Sequence, residues 1–269
     1  MPGLAVRGVS VRFGGLSALE DVSFDVPAGS VVGVIGPNGA GKTTLFNVIS
    51  GFVRPTSGTL EWDGAPFRPA PDRLVGAGLA RTLQGVGLFA QLSALENVMV
   101  GGARSRRAGF VSALLALPRS DRDERRLRAD AMQWLARLDV ADAADRLPTT
   151  LPFPVQKRIA LARALVSRPR LLLLDEPAGG LGAEDLGPLA ELIRSLPTAE
   201  SACSVLLVEH HMDLVMDVCD QVVVLDFGRR VAAGTPAEVQ ADPVVATAYL
   251  GAEVPPESDG VAVIGEGRS

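Results

Sequence analysis

The sequence predicts an α/β fold: a mostly parallel sheet, preceded by an antiparallel β unit and interrupted by an inserted α-helical unit. Three observations predict it. Short apolar runs, rich in β-branched residues or leucine, recur along the chain, and such runs are typical of strands buried on both faces. Residues 4–26 alternate between apolar and polar positions, which indicates half-buried antiparallel strands. From Ser93 to about Arg168 the pattern becomes helical.

The composition is that of a globular protein, because 47% of the 269 residues are hydrophobic and 21% are charged. A net charge of −5 argues against nucleic acid as a partner. Cys203 and Cys219 have no metal-ligand spacing, so we expect reduced thiols in the cytosol. The start lacks the apolar core of a signal peptide, and no run reaches the roughly 18 apolar residues of a membrane span. We therefore expect a soluble chain.

The first strands contain a residue, Phe13, that has two interpretations. Val9, Val11 and Phe13 alternate in one strand, and a further strand is predicted at Thr59–Trp62 after a turn-rich stretch. For Phe13, periodicity favours a core residue, whereas an exposed ring would stack on a flat base such as adenine.

A glycine-rich loop follows the buried strand predicted at Ser30–Ile35, and a helix pattern covers Thr44–Ile49. The loop fits G-x-x-x-x-G-K-S/T at every position, with Gly36, Pro37, Asn38, Gly39, Ala40, Gly41, Lys42 and Thr43. Its glycines let successive N–H groups bind phosphate oxygens, and the helix N-terminus adds positive potential. Lys42 supplies charge for the β- and γ-phosphates, and the Thr43 hydroxyl is placed to ligate Mg²⁺. Together with Thr44, the loop predicts a P-loop NTPase core that binds ATP or a similar triphosphate.

Three later strand ends carry polar residues toward the same site. Leu79–Leu83 is followed by Gln84, whose amide oxygen is able to reach Mg²⁺ or a water. The leucine run before Asp175 and Glu176 predicts a strand that ends at the ligand-binding edge of the sheet. Asp175 is then placed to hold Mg²⁺ through a water, and Glu176 to polarise the attacking water. His210 leaves the strand Val205–Val208 as a candidate γ-phosphate contact.

The helical region has a clear start and a charged surface. Ser93 and Glu96 form a predicted capping box. An amphipathic helix is predicted by apolar residues at helical spacing, namely Leu127, Ala131, Trp134 and Leu138. Arginines between positions 104 and 128 alternate with acidic residues. An exposed mixed-charge face is favoured over a surface that meets a membrane partner near anionic lipid.

The C-terminal part ends in a predicted hairpin and a short helix. Phe227–Arg230 is predicted as a turn and Val231–Gly234 as a strand, and Thr235 as the N-cap of a helix. The chain shows no internal repeat. We expect one nucleotide-binding domain over residues 1–251, with a helical subdomain at about 88–168, and a disordered tail over 252–269.

Taken together, these motifs resemble the ATP-binding subunits of ABC transporters, over nearly the whole length to about Gly251. Three passages are similar to those of branched-chain amino acid importers: residues 81–84 with Leu88 and Phe89, residues 209–212, and residues 234–251. The resemblance assigns roles as follows: Phe13 stacks on adenine, Gln84 is the Q-loop residue, Glu176 is the catalytic base and His210 is the switch histidine. His211 stands where the family often has aspartate.

One segment departs from the family's pattern. The family's L-S-G-G-Q signature precedes the helix predicted at Arg158–Val166 and caps the γ-phosphate bound to the other subunit of a dimer, but residues 151–156 read LPFPVQ. Pro152 lacks the serine hydroxyl, and Pro154 lacks a backbone N–H. Removal of one donor to a developing oxyanion costs roughly 2.7–4 kcal/mol. The site that this loop caps is therefore expected to be nearly inert, and Gly182 also replaces the usual acid or amide in the D-loop.

The resemblance implies a motor subunit that uses ATP and Mg²⁺ at the cytoplasmic face of the membrane. Its own phosphate loop needs a partner's signature, so a heterodimer with an intact sister ATP-binding subunit is favoured. Two integral membrane permease subunits and an extracytoplasmic solute-binding protein complete the implied importer. The solutes implied are branched-chain amino acids, with urea or short amides as alternatives. A nucleotide-binding regulatory subunit with little turnover, and a soluble ABC protein of assembly or repair, are the other hypotheses.

Overall fold

Two sheets form the framework of the computed structural model, which describes residues 3–82, 85–102, 118–198 and 202–250. Their strands, in chain order, are β1 (Leu4–Phe13), β2 (Leu16–Val26), β3 (Val31–Ile35), β4 (Ser57–Trp62), β5 (Ala65–Phe67), β6 (Leu79–Arg81), β7 (Leu171–Asp175), β8 (Ser204–Val208), β9 (Gln221–Asp226) and β10 (Arg229–Gly234). The larger sheet has the order β10-β9-β3-β8-β7-β6, and the smaller one β2-β1-β4-β5.

The larger sheet is parallel except at its edge, where β10 pairs antiparallel with β9. Val208 of β8 pairs with Val34 of β3 on one side and with Asp175 of β7 on the other. The carboxyl ends of these three strands are therefore level. Since ligands bind outside this edge in open α/β sheets, the register places three loops around one candidate site.

The strands of the larger sheet are buried on both faces. Val32 and Val34 pack into one apolar cluster, and Val31 and Ile35 into the other. Successive side chains of a strand point to opposite faces, so both clusters form when helices or a second sheet cover both sides. The smaller sheet, in which every pair is antiparallel, covers one face. The predicted fold class is confirmed.

The helices are α1 (Lys42–Ile49), α2 (Leu74–Ala77), α3 (Ala94–Gly102), α4 (Pro118–Arg137), α5 (Phe153–Leu165), α6 (Ala183–Ser195), α7 (Met212–Val218), α8 (Pro236–Ala241) and α9 (Pro243–Leu250). The predicted capping box at Ser93 and the predicted N-cap at Thr235 are both present. The Ser93 N–H donates to Glu96 at 2.8 Å and the Glu96 N–H donates back to the Ser93 hydroxyl at 3.2 Å. Thr235 and Glu238 repeat this arrangement. Among the described residues, no helix combines the length and apolar character needed to cross a membrane.

Several predicted boundaries were wrong by two residues or more; α1 begins at Lys42 rather than Thr44, and β4 at Ser57 rather than Thr59. Helix α5 begins at Phe153 rather than Arg158. Pro154 fits in its first turn because N–H groups there have no intrahelical partner, so the missing N–H of a proline costs the helix nothing. Arg229 and Arg230 belong to β10, since only Phe227 and Gly228 form the turn, with φ angles of 40° and 78°. Such left-handed pairs match the twist of a two-residue hairpin. The predictions at Leu83, in the arginine-rich stretch 103–117 and in the tail 252–269 lie outside the described residues.

Gly101 sets how closely α3 approaches α5, and Gly101→Ala is expected to destabilise the protein. A Cβ there would lie 1.9 Å from the carbonyl oxygen of Arg163. Helix propensity alone favours alanine by about 1 kcal/mol, whereas overpacking costs about 1–3 kcal/mol. Because the clash is with backbone, we expect sterics to prevail and the free energy of unfolding in urea to fall. Gly76→Ala is the control, since nothing lies within 4 Å of its added Cβ; equal effects of the two changes would contradict the steric argument.

Candidate functional site

The glycine-rich loop joins β3 to α1 and depends on its glycines for shape. Gly36 and Gly41 have φ angles of 149° and 99°, which residues with a Cβ rarely adopt. A Cβ at Gly36 would lie 2.1 Å from the carbonyl oxygen of Leu225, and one at Gly41 would lie 2.6 Å from that of Ala18. The loop is thus packed between the end of β9 and β2, and its path excludes larger residues at both glycines.

The ammonium group of Lys42 binds the backbone of its own loop. Its Nζ donates to the carbonyl oxygens of Gly36 at 2.6 Å and Pro37 at 2.9 Å, and the residue is only 8% exposed. Burial lowers the pKa of Lys42, and the nearby Glu176 carboxylate opposes that shift. The loop therefore carries a concentrated positive charge close to Glu176. Asn38, Gly39 and Thr43 are solvent-exposed.

Asp175 ends β7 in a buried ion pair that the sequence interpretation missed. Arg81 Nη2 lies 2.8 Å from Asp175 Oδ2, and the two side chains are 8% and 3% exposed. Arg81 Nη1 donates to Asn47 Oδ1 at 2.9 Å and to the Ser50 hydroxyl at 2.6 Å. One guanidinium thus ties α1, which carries Lys42 and Thr43, to the end of β7. The only sequence signal was the position of Arg81 in the passage similar to amino acid importers.

Glu176 follows in an unusual backbone conformation, with a φ angle of 48°. Its N–H donates to the carbonyl oxygen of Val208 at 2.9 Å, so the residue stays bound to the end of β8. A residue with a Cβ occupies this left-handed region at some energetic cost. The conformation bends the chain immediately after Asp175 and sends the backbone away from the sheet.

The two histidines follow β8, the strand between β3 and β7. The Glu209 carboxylate is fully buried and accepts the N–H groups of His210 at 2.9 Å and His211 at 3.1 Å, and it lies 3.0 Å from His211 Nδ1. Burial raises the pKa of Glu209, but bonds from Ala178, His211 and His210 outweigh it, so the pKa falls below its usual value. The His210 side chain is 56% exposed. Hydrogen bonds to Glu209 hold the turn, while the imidazole of His210 remains accessible.

Phe13 is not a core residue, so the interpretation from periodicity was wrong. It is 52% exposed, because it is the last residue of β1 and pairs with Leu16 across the hairpin turn, beyond the covered part of the sheet. The ring is available to stack on a base. Gln84 lies outside the described residues, and its predicted role remains a prediction.

The oxygen groups at this edge fit a hydrated magnesium ion. Mg²⁺ prefers oxygen ligands, keeps several of its waters and is usually held by one or two carboxylates together with substrate phosphates. The exposed hydroxyl of Thr43 and the carboxylate of Asp175 supply that chemistry. Arg81 binds Oδ2 of Asp175 and thereby fixes the carboxylate in one orientation.

Two family models match the chain. One, described as ABC transporter, matches residues 19–179, and the other, described as branched-chain amino acid ATP-binding cassette transporter, matches residues 229–255. The high-affinity branched-chain amino acid transport ATP-binding protein BraF of Pseudomonas aeruginosa is 41% identical over 93% of this chain and 98% of its own length. LivG of Escherichia coli K12, a protein of the same description, is 38% identical over the same shares.

Solved ATP-binding cassettes share the fold. MJ1267, an ATP-binding cassette of an ABC transporter in its ADP conformation, superimposes with a TM-score of 0.79 at 27% identity, over 93% of this chain and 99% of that one. CbiO1 of Clostridium perfringens, part of the ABC transporter complex cbiONQ, gives a TM-score of 0.75 at 26% identity, over 91% and 92%.

Proposed function

The chain belongs to the ABC transporter family of ATP-binding proteins, and from that premise we propose that it is the ATP-hydrolysing subunit of an importer. One observation carries the proposal. Level strand ends bring the Lys42 loop, Asp175 and Glu176, and His210 to one edge of the sheet. These are the groups that phosphoryl transfer to water needs: a phosphate cradle, a metal ligand, a base and a γ-phosphate contact.

The residues divide the work by chemistry. Loop N–H groups and Lys42 bind the β- and γ-phosphates, and Phe13 stacks on the adenine. Thr43 and Asp175, with Gln84, would hold the magnesium ion, which would neutralise charge on the phosphates. Glu176 accepts the proton of the attacking water. His210 contacts the γ-phosphate through its exposed imidazole.

The solute is proposed from the relatives. BraF and LivG are described as proteins of high-affinity branched-chain amino acid transport, and each is covered to 98% of its length. We therefore propose leucine, isoleucine or valine as the solute, and two membrane permease subunits fed by an extracytoplasmic binding protein as partners. The chain would then be peripheral, on the cytoplasmic face of the membrane. Urea and short amides are the alternative cargo.

A second function, nucleotide binding with little turnover, is favoured by the signature loop. Pro152 is the N-cap of α5 without a side-chain hydrogen bond, and Pro154 lies in the first helical turn. The helix start thus offers neither a serine hydroxyl nor the N–H of residue 154 to a phosphate. A heterodimer with a sister subunit whose signature is intact preserves one active site, at Lys42 and Glu176.

Restoring the donors tests this asymmetry. In the purified complex, Pro152→Ser with Pro154→Gly is expected to raise hydrolysis at the partner's site, by up to about 10²–10³-fold for each donor recovered. Single-turnover assays with Glu176→Gln also present in this chain would isolate the partner's site, because that change silences the site at Lys42. Pro148→Ser, a proline change in the short helix before the signature, is the control. Unchanged turnover after restoration would show that the prolines do not limit hydrolysis.

Uptake measurements test the function itself. A strain with the gene deleted is complemented with the wild-type chain or with Lys42→Met, which keeps the aliphatic stem and removes the charge. We expect only the Lys42→Met strain to lose uptake of labelled leucine, isoleucine and valine. Loss of urea or amide uptake instead would change the solute but keep the motor. Unchanged uptake of every solute, in a strain without redundant importers, would contradict the proposal.

A further inference from the structure

The ammonium group of Lys157 donates all of its hydrogen bonds to one turn, residues 176–179. It lies in α5, and its Nζ donates to the carbonyl oxygens of Glu176 and Pro177, each at 2.9 Å, and to that of Gly179. An ammonium has three N–H donors, so all three are engaged within residues 176–179. Burial lowers the pKa of Lys157, and the carboxylates of Glu209 and Glu176 oppose that shift. Lys157 and Lys42 are the only lysines in the chain, and the proposed mechanism uses only Lys42.

A buried carboxylate binds the same turn at Ala178, the one residue of 176–179 that Lys157 does not bind. Glu209 Oε1 accepts the N–H of Ala178 at 2.7 Å, and the Glu209 side chain is fully buried. The turn is therefore held by a cation at three carbonyl groups and by an anion at one N–H group. Both charges belong to elements outside the turn, since Lys157 is on α5 and Glu209 follows β8.

The conformation of this turn needs such support. Glu176 has a φ angle of 48°, in the left-handed region that residues with a Cβ avoid. Backbone in such regions persists where the surrounding contacts over-determine it, and these places concentrate at functional sites. The side-chain direction of Glu176 follows from this backbone, because the position of Cβ is set by its own dihedral angles.

We propose that Lys157 and Glu209 are positioning residues that hold the 176–179 turn and thereby aim the Glu176 carboxylate at the attacking water. This inference rests on the proposed role of Glu176 as base. Neither residue touches the reacting atoms. Because a displacement of about 1 Å in a catalytic group is able to cost about 10²-fold in rate, loosening the turn affects the chemical step far more than nucleotide binding.

The test compares Lys157→Met with Lys157→Arg in the transporter complex, which is purified by an affinity tag on this chain. Lys157→Met keeps the aliphatic stem but removes the three donors, and it is expected to lower kcat for ATP hydrolysis by about 10–10²-fold. The dissociation constant of a non-hydrolysable ATP analogue is expected to stay unchanged. Lys157→Arg retains charge and donors and is expected to recover most of kcat. Arg126→Met, on the exposed side of α4, is the control and leaves both quantities unchanged.

Hydrogen exchange at the Ala178 amide supplies a readout that does not need turnover. Loss of Lys157 is expected to speed exchange of this amide, as is Glu209→Gln. An unchanged kcat in folded Lys157→Met, an equal loss of kcat and analogue affinity, or unchanged Ala178 exchange would overturn the proposal. If Lys157→Met does not fold, Glu209→Gln decides by the same three measures. A wild-type complex without ATP hydrolysis would refute the proposed function, whereas the exchange result would still decide whether the turn is held in this way.

Discussion

Glu176→Gln is expected to reduce ATP hydrolysis by about 10²–10⁴-fold while ATP still binds. Glutamine has nearly the same size as glutamate, but its amide does not accept a proton from water. The backbone contacts of residue 176 involve its N–H and carbonyl groups, which the change leaves in place. Single-turnover hydrolysis and retention of labelled ATP, measured on the purified complex, separate the chemical step from binding.

Glu191→Gln is the matched control, because Glu191 is an exposed carboxylate on α6. It is expected to leave hydrolysis unchanged. A Glu176→Gln complex that hydrolyses ATP at the wild-type rate would remove Glu176 from the mechanism. Loss of ATP binding in this variant would assign it a role in binding rather than in activating water.

Arg81→Met is expected to lower the free energy of unfolding by about 3–5 kcal/mol, because it leaves the charge of Asp175 buried without its partner. Arg81 and Asp175 are almost fully buried, and the guanidinium also lies 5.5 Å from the centre of the Phe46 ring. Methionine retains much of the side-chain volume, so the loss reports the charge and its hydrogen bonds. Urea denaturation of the isolated chain measures it.

The double variant Arg81→Met with Asp175→Asn is expected to recover part of this loss, since no charge is then left unpaired. Arg194→Met provides the control. Its partner, Asp217, lies 2.6 Å away, but both side chains are about half exposed, and exposed pairs contribute about 0–1 kcal/mol. Equal losses for the two arginine variants would show that burial does not control the strength of the Arg81 pair.

The site could be predicted from sequence where its pattern is local. The loop from Gly36 to Thr43 contains its own turn-forming glycines, its cation and its hydroxyl, and a buried strand precedes it. Asp175 and His210 were predicted at one sheet edge because Asp175 follows a leucine run and His210 lies two residues after the apolar strand that ends at Val208. Periodicity failed at Phe13, because alternation does not show where a hairpin leaves the covered face of a sheet.

The sequence by itself determined the chemical groups of this protein and the strands that present them, because both are written in residues that are neighbours along the chain. Only the tertiary structure showed what orients those groups. Arg81 reaches Asp175 across 94 positions, Glu209 reaches Ala178 across 31, and Lys157 reaches Glu176 across 19. Hydrogen bonds and ion pairs act over a few ångströms in space, so such partners become visible only when the sheet and helices have packed.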